Sequence, residues 1–442
     1  MRRPVSTLPA ELPSPFPPEA STRGQRRAVA ATALAAATLG VLGTFLVVQM
    51  RAAGAGHGPT AASGSLPHFM SAVRQVEEPR TIAGHDVDCA AGNYSTKTLK
   101  LIAEQPLAGL LAGPPPANGR QRKEVLPPPS RFEASDVTGV AGSNEVFIVF
   151  DNTFRIGHVA TGVPYMAAAS GDKGADRRRE VTPNRLLTWP NDDGAESEFE
   201  GLAYNATSGR YLVVQETVVN GTGTLVPRIH EVSLDGGEAK VHSTCDGAMA
   251  FESEKKGMEG AAIATAADGT FYLLALCEGN GCAKGDAGRE PGGGRVLVME
   301  REATGPRGCS WVVVQTVAIP PRAAFQDYAS ISIYENRRVA VVSQENAAVW
   351  VGELDLLDGR TDQATGQRSL FGLSGGELYD FPRNDHCARI FCNVEGVHWL
   401  TADTLIAVSD EMKSGGRQPF VCREHDQSIH TFQVPAPVPE AA

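Results

Sequence analysis

A short phrase recurs along this 442-residue chain and limits what it can fold into: an acidic residue, a glycine, apolar residues, then a second apolar run with an acid at its end. It reads Glu200-Gly201-Leu202 with Tyr211 to Glu216, Glu259-Gly260-Ala261 with Phe271 to Glu278, and Glu395-Gly396-Val397 with Thr404 to Glu411. Weaker copies are Thr138-Gly139-Val140 with Val146 to Asn152, and Ala329-Ser330-Ile331 with Val339 to Glu345. The markers at 139, 201, 260, 330 and 396 lie 59 to 70 residues apart, long for one four-stranded blade but suited to a blade with loop insertions. One such unit cannot bury both its faces, so the copies must stack around an axis.

The second runs are rich in Val, Ile, Leu and aromatic residues, are bounded by Gly, Asn, Asp or Thr, and are too short for independent helices. Third runs follow, such as Arg228 to Val232, Arg295 to Met299, Ala348 to Val351 and Ser428 to Phe432. The expected fold is an all-β propeller of five countable blades over 86–434, with six open if one blade has diverged. The last copy runs short of strands, whereas Ser95 to Ile102 alternates like one. That early strand is expected to complete the final blade and remove a sheet edge.

The part before the repeats differs. Ala28 to Met50 is an uncharged stretch of 23 residues, long enough to cross a bilayer as a helix. Five arginines against two glutamates precede it. The positive-inside rule therefore predicts a cytoplasmic tail over 1–27, a signal-anchor helix over 28–50, a flexible stalk over 51–85 and a luminal or extracellular propeller. A cleaved signal peptide is the competing reading, although its apolar core is usually shorter. The tail over 435–442 is Pro-rich and expected to be disordered.

The total charge of −11, less the +3 of residues 1–50, leaves −14 on the remainder, which argues against nucleic acid and favours cations or basic ligands. All eight cysteines follow the apolar span, and an even set in an oxidising compartment reads as disulfides. Cys89 with Cys422 and Cys387 with Cys392 are plausible by position, but the connectivity stays open. Zinc is disfavoured because no C-x-x-C pair occurs. Asn93, Asn205 and Asn220 head glycosylation triplets.

Aligning the copies on their glycine gives Thr138, Glu200, Glu259, Ala329 and Glu395 just before it, and Asp136, Glu198, Gly257, Asp327 and Asn393 two residues earlier. Residues two apart on a strand share a face, so each copy places a carboxylate on one edge. On an innermost strand, Asp136, Glu200, Glu259, Asp327 and Glu395 would converge. Mutual repulsion is relieved by protonation or by a hard cation such as calcium. The alternative is that these acids bind backbone amides and hold blade to blade. A second column, Asn152, Glu216, Glu278, Glu345 and Glu411, ends the second strands and offers further ligands, a general base, or simple turn residues.

The Glu-Gly-apolar phrase, with Val342-Ser-Gln-Glu345 and Val408-Ser-Asp-Glu411, resembles the phytase-like and SdiA-regulated-type β-propellers, a family with esterase-like activity of phytase. The likeness spans about Asp136 to Val434 and implies a cation-binding propeller, with hydrolytic activity as an expectation. Two functions are thus expected as alternatives: a metal-assisted hydrolase of phosphate or carboxylic esters, or a binding module for a small molecule, protein or glycan. Among weaker motifs, Gly372-Leu-Ser374-Gly-Gly376 fits a nucleophile-elbow string but lacks the helix that string requires. His398 and the Asp385-His386 pair flank Glu395 and are candidates for acid/base work near the channel. Arg177 to Arg179 form a basic loop expected to be solvated.

Overall fold

The apolar runs are strands in the computed structural model, which describes residues 97–111, 131–140, 143–161 and 184–435, apart from 191, 193, 236, 255, 362, 364, 365, 385, 387 and 413–419. After β1 (Lys100–Pro106) and a helical turn, α1 (Leu107–Leu111), come four consecutive blades of four antiparallel strands. Blade 1 is β2 (Ala134–Gly139), β3 (Glu145–Phe150), β4 (Arg155–Ala160) and β5 (Arg185–Thr188). Blade 2 is β6 (Phe199–Asn205), β7 (Arg210–Val219), β8 (Leu225–Asp235) and β9 (Glu238–Gly247). Blade 3 is β10 (Met258–Thr265), β11 (Phe271–Cys277), β12 (Arg295–Glu302) and β13 (Ser310–Ala318). Blade 4 is β14 (Ser330–Tyr334), β15 (Arg338–Ser343), β16 (Ala348–Leu356) and β17 (Phe371–Asp380). Blade 5 is β18 (Val394–Thr401), β19 (Thr404–Ser409) and β20 (Ser428–Gln433), completed by β1.

The first strands touch in a closed cycle, β2 to β6 to β10 to β14 to β18 and back to β2. That is the arrangement of a β-propeller, and five blades account for every described strand. The expected closing strand is present but begins five residues later than Ser95, and it pairs antiparallel with β20 from Lys100 to Pro106. Just before it, Leu99 donates its amide to the Asp380 carbonyl, and the Asp380 amide returns a bond to Lys97. The chain start thus ties blade 4 to blade 5.

The middle of each second strand is apolar because both of its faces are covered. On β11, Tyr272, Leu274 and Leu276 pack toward blade 4, while Leu273, Ala275 and Cys277 pack toward blade 2. On β15, Val339 and Val341 face blade 3, and Ala340 and Val342 face blade 5. Strands β3, β7 and β19 divide in the same way, so the five large apolar clusters are the five blade interfaces, and a small sixth holds Cys392, Met412 and Cys422. Each fully buried Val, Leu or Phe contributes roughly 1.5–3 kcal/mol, which explains an alternation hidden inside an unbroken apolar run.

At the axis the register aligns Asp136, Gly201, Gly260, Ser330 and Gly396, paired with Val149, Val214, Leu276, Val342 and Val408 of the second strands. In the first copy the marker is therefore Asp136 rather than Gly139. A Cβ on Gly260 would stand 2.7 Å from Ser330 Cα, and one on Gly396 would stand 2.7 Å from Asp136 Cα. The glycines are present so that neighbouring backbones can touch. In four blades a bulge immediately precedes this position, between Ala134/Asp136, Phe199/Gly201, Met258/Gly260 and Val394/Gly396.

The disulfides among the described residues are Cys245–Cys309, Cys277–Cys282 and Cys392–Cys422. The first links the outer strands of blades 2 and 3. The third overturns both pairings suggested by position, because Cys422 and Cys392 bond to each other. Asn205 is buried and its Oδ1 accepts the Thr207 amide within a turn, so it is not an accessible glycosylation acceptor; Asn220 is half-buried. Ser374 lies inside β17 opposite Glu353, a strand position unlike a nucleophile elbow. The tail, span and stalk expected over 1–85, the Arg177 to Arg179 run, Asp385 and the tail from 436 lie outside the described residues. Among those described, no helix is long and apolar enough to cross a membrane.

Asp136 is 1% exposed. Its carboxylate accepts the Val137 and Leu202 amides at 2.9 and 2.8 Å and the Ser330 hydroxyl at 2.8 Å, and Ser330 Oγ accepts the Val397 amide at 3.2 Å. Burial pushes the Asp136 pKa well up, opposed by these donors and by the Ala261 amide. All four bonds lie on the propeller axis. Asp136→Asn, which turns an acceptor into a donor facing an amide, should lower stability in urea unfolding by roughly 1–3 kcal/mol or more. Gly396→Ala should cost about 1–3 kcal/mol by forcing β18 from β2, read as a fall in melting temperature.

Candidate functional site

On one side of the axial layer the first strands open into a cavity of about 890 Å³. In blades 2, 3 and 5 the extra residue of the bulge, the one just before the marker, turns inward, which is how a bulge re-aims a side chain. Glu200, Glu259 and Glu395 reach the cavity this way, from β6, β10 and β18. A second layer stands two residues beyond the second-strand partners of the markers: Asp151, Glu216, Glu278, Gln344 and Asp410, all lining the cavity. The second column expected from sequence is shifted by one residue in blades 1, 4 and 5. Glu411 does not line the cavity and instead pairs with Arg131 at 3.0 Å. A third layer holds Glu133, Glu198 and Asn393.

Of the five acids expected to converge, Glu200, Glu259 and Glu395 do so, and Asp136 and Asp327 do not line the cavity. Asp136 occupies the glycine position and faces strand amides. Asp327 accepts the Ser343 hydroxyl and the Glu345 amide, and burial raises its pKa to about 6 against those bonds. The amide-binding alternative describes these two residues. Glu133 takes the place in blade 1 that the sequence alignment gave to Asp136.

The lining comprises twelve acids against two cations, Lys256 and Arg289. Oxygens of Glu198, Glu200 and Glu216 lie within 4.8 Å of one another, as do those of Glu216, Glu259 and Glu278, so Glu216 is common to both groups. The Gly257 amide donates to Glu216 at 2.6 Å, the Gln344 amide nitrogen donates to Glu395, and Lys256 pairs with Glu278. At the mouth Arg289 pairs with Glu345 at 2.7 Å. The loop carrying Asp286 and Arg289 follows the Cys277–Cys282 disulfide, and no spacing rule in the sequence pointed to it. Asn393 is 6% exposed, and its Oδ1 is buried without a hydrogen-bond partner, as is that of Asn152.

Burial, reinforced by neighbouring carboxylates, dominates the electrostatics. It pushes Glu200 well above the carboxylate range, with Asp151, Glu395 and Glu216 adding to the effect. Glu259 is raised likewise by burial and by Glu278, Glu200 and Glu216. Burial takes Glu216 to about 8 despite the Gly257 amide, and it raises Glu278 despite Lys256. For Lys256 burial disfavours the cation, yet Glu278 beside it holds the pKa above the usual value. The donor set is hard oxygen. Two oxygens on one calcium ion stand at most about 5 Å apart, so each group fits one such ion.

His398, expected near this channel, lies across the axial layer and lines a different cavity. Among the described residues the cavity lining contains no serine, cysteine, histidine or tyrosine.

No family model and no curated protein matches the chain. Among solved structures, the chain is similar to a Thermus thermophilus oxidoreductase of the glucose dehydrogenase type at 12% identity, covering 69% of this chain and 97% of that one, with a TM-score of 0.34. The PQQ-bound aldose sugar dehydrogenase of Streptomyces coelicolor matches at 10% identity, 68% and 94% coverage and a TM-score of 0.35. The virginiamycin B lyase of Staphylococcus aureus matches at 11%, 70% and 83%, and 0.28. At these TM-scores none of the likenesses carries an inference about this chain.

A raised folded-state pKa means that the native protein holds more protons than the unfolded chain between the ordinary carboxylate pKa and the folded one. Stability then falls as pH rises through that window. For Glu216 the window runs from 4.5 to about 8. In EDTA the melting temperature should therefore drop between those values, and saturating calcium should flatten the slope. An upward slope in EDTA would contradict the acidic cavity as described.

Proposed function

We propose that the protein is a calcium-binding propeller of phytase-like type that hydrolyses a phosphoester or a carboxylic ester at its acidic axial cavity. The observation behind this reading is the pair of three-carboxylate groups sharing Glu216, in a lining that also holds the unpartnered amide oxygen of Asn393. Glu198, Glu200, Glu216, Glu259 and Glu278 would hold the metal, with Glu395 across the cavity. A bound calcium ion would polarise the ester and lower the pKa of a water. The chain's own contribution is positional. The bulges aim the acids, the Gly257 amide and Lys256 orient Glu216 and Glu278, and Arg289 at the mouth carries the planar fork suited to an anionic group. A bound cation would hold its ligands ionised, and an ionised carboxylate of the lining would be the group to take the proton from that water.

The absence of a side-chain nucleophile from the lining favours a second reading, in which the cation is structural and the face binds a small molecule, protein or glycan. Membrane tethering by the 28–50 helix, with the N-terminus cytoplasmic and the propeller luminal or extracellular, belongs to the same proposal. The disulfides support an oxidising compartment.

Calcium titration of the full chain against EDTA should raise the melting temperature saturably, as preferential binding to the native state requires. Calcium-dependent turnover of 4-nitrophenyl phosphate or 4-nitrophenyl acetate should accompany it. Glu216→Gln with Glu259→Gln should remove both responses while leaving the protein folded. A thermal shift without turnover would select the binding reading, and no shift up to millimolar calcium would end the cation proposal.

A further inference from the structure

The axial layer has a second side. Beyond Asp136, Ser330 and the three glycines, the first strands continue and line another cavity, of about 430 Å³. None of the five marker residues lines either cavity, so this layer separates the two. The space exists because the position two residues past the marker is small in four blades, Thr138, Ala203, Ala262 and Ser332, and is His398 in the fifth. The next position brings Tyr204, Ile263, Ile333 and Trp399 to the walls.

The chemistry inverts that of the acidic side. Among the described residues of the lining, Glu335 is the one carboxylate and is exposed, and there is no Lys or Arg. Part of the His398 ring faces the cavity, neither ring nitrogen hydrogen-bonds to a described residue, and burial lowers its pKa to about 4. It is therefore neutral at physiological pH and offers one donor and one acceptor. In an apolar surround a hydrogen bond to that imidazole is worth more to a ligand than the same bond made in water. The volume lies in the range of small-molecule pockets, roughly 300–1,000 Å³.

We propose that this cavity is a second ligand site, for a small uncharged aromatic molecule carrying a hydroxyl group, which sets its ring among Tyr204, Tyr334, Ile263 and Ile333 and its hydroxyl on His398. A hydroxyl both donates and accepts, which matches a neutral imidazole. An anion would find no cation in the lining, and a cation would meet only the exposed Glu335. The site is independent of the calcium reading and stands if that reading fails.

The test is calorimetric titration of the full chain with 2-naphthol and with 2-naphthalenesulfonate, each in EDTA and in calcium. One-to-one binding of 2-naphthol, at least tenfold tighter than the sulfonate and unchanged by calcium, is expected. His398→Phe should weaken 2-naphthol at least tenfold. Ile263→Trp, which fills the cavity from a half-buried wall position, should abolish binding. Absence of saturable binding to the unmodified protein, equal affinity for the two probes, or affinity unchanged in Ile263→Trp would each overturn the proposal. The comparison of probes on the unmodified protein decides the matter even if His398→Phe fails to fold.

Discussion

Where five strands converge on an axis, their inward amides leave the reach of their own sheets and cannot be left unpaired. Asp136 and Ser330 meet that constraint together. One carboxylate on β2 accepts amides from its own strand, β6 and β10, and the Ser330 hydroxyl on β14 bonds that carboxylate while accepting an amide from β18. Every blade is thereby joined at one point. The bonds are short enough only because Gly201, Gly260 and Gly396 let the backbones approach.

The same layer organises the electrostatics. It divides the axial space into an acidic cavity and an apolar one, so a charge on one side is not shared with a ligand on the other. On the acidic side, bulges next to the layer turn Glu200, Glu259 and Glu395 inward, where burial and mutual repulsion oppose ionisation. Such an arrangement is tolerated because the apolar blade interfaces outweigh it. A rigid scaffold carrying unfavourable charge is also what a cation site requires, since binding then relieves strain without reorganisation.

Much of this was legible in the residues. The unbroken apolar second runs announced strands covered on both faces, the count of copies matched the count of blades, and the early strand closed the ring as the missing partner in blade 5 required. The acids of blades 2, 3 and 5 could be placed because each precedes a glycine. Blade 1 could not be aligned correctly: its marker is an aspartate, and Gly139, three residues on, stood in for it. In the second column the sequence pattern points to Asn152, Glu345 and Glu411, whereas the strand pairing puts Asp151, Gln344 and Asp410 there. The bulges make a one-residue shift invisible until the pairing is known, and a one-residue shift reverses which way a side chain points.

The sequence by itself determined the repeat, the strand character and the accumulation of carboxylates, because these depend on local pattern and on burial that every blade imposes alike. Only the tertiary structure decided what each acid does. Asp136 and Glu200 are both buried carboxylates on first strands, yet one satisfies amides at the axis and the other faces a cavity. The difference is the local register of a bulge, a property of paired strands that a single strand read alone does not carry. Likewise Cys392 bonds Cys422 rather than a nearer neighbour in sequence, because the fold brings their Cα atoms to 5.7 Å. His398 fell on the apolar side of the layer for the same reason, two residues past a marker whose place only the closed ring defines.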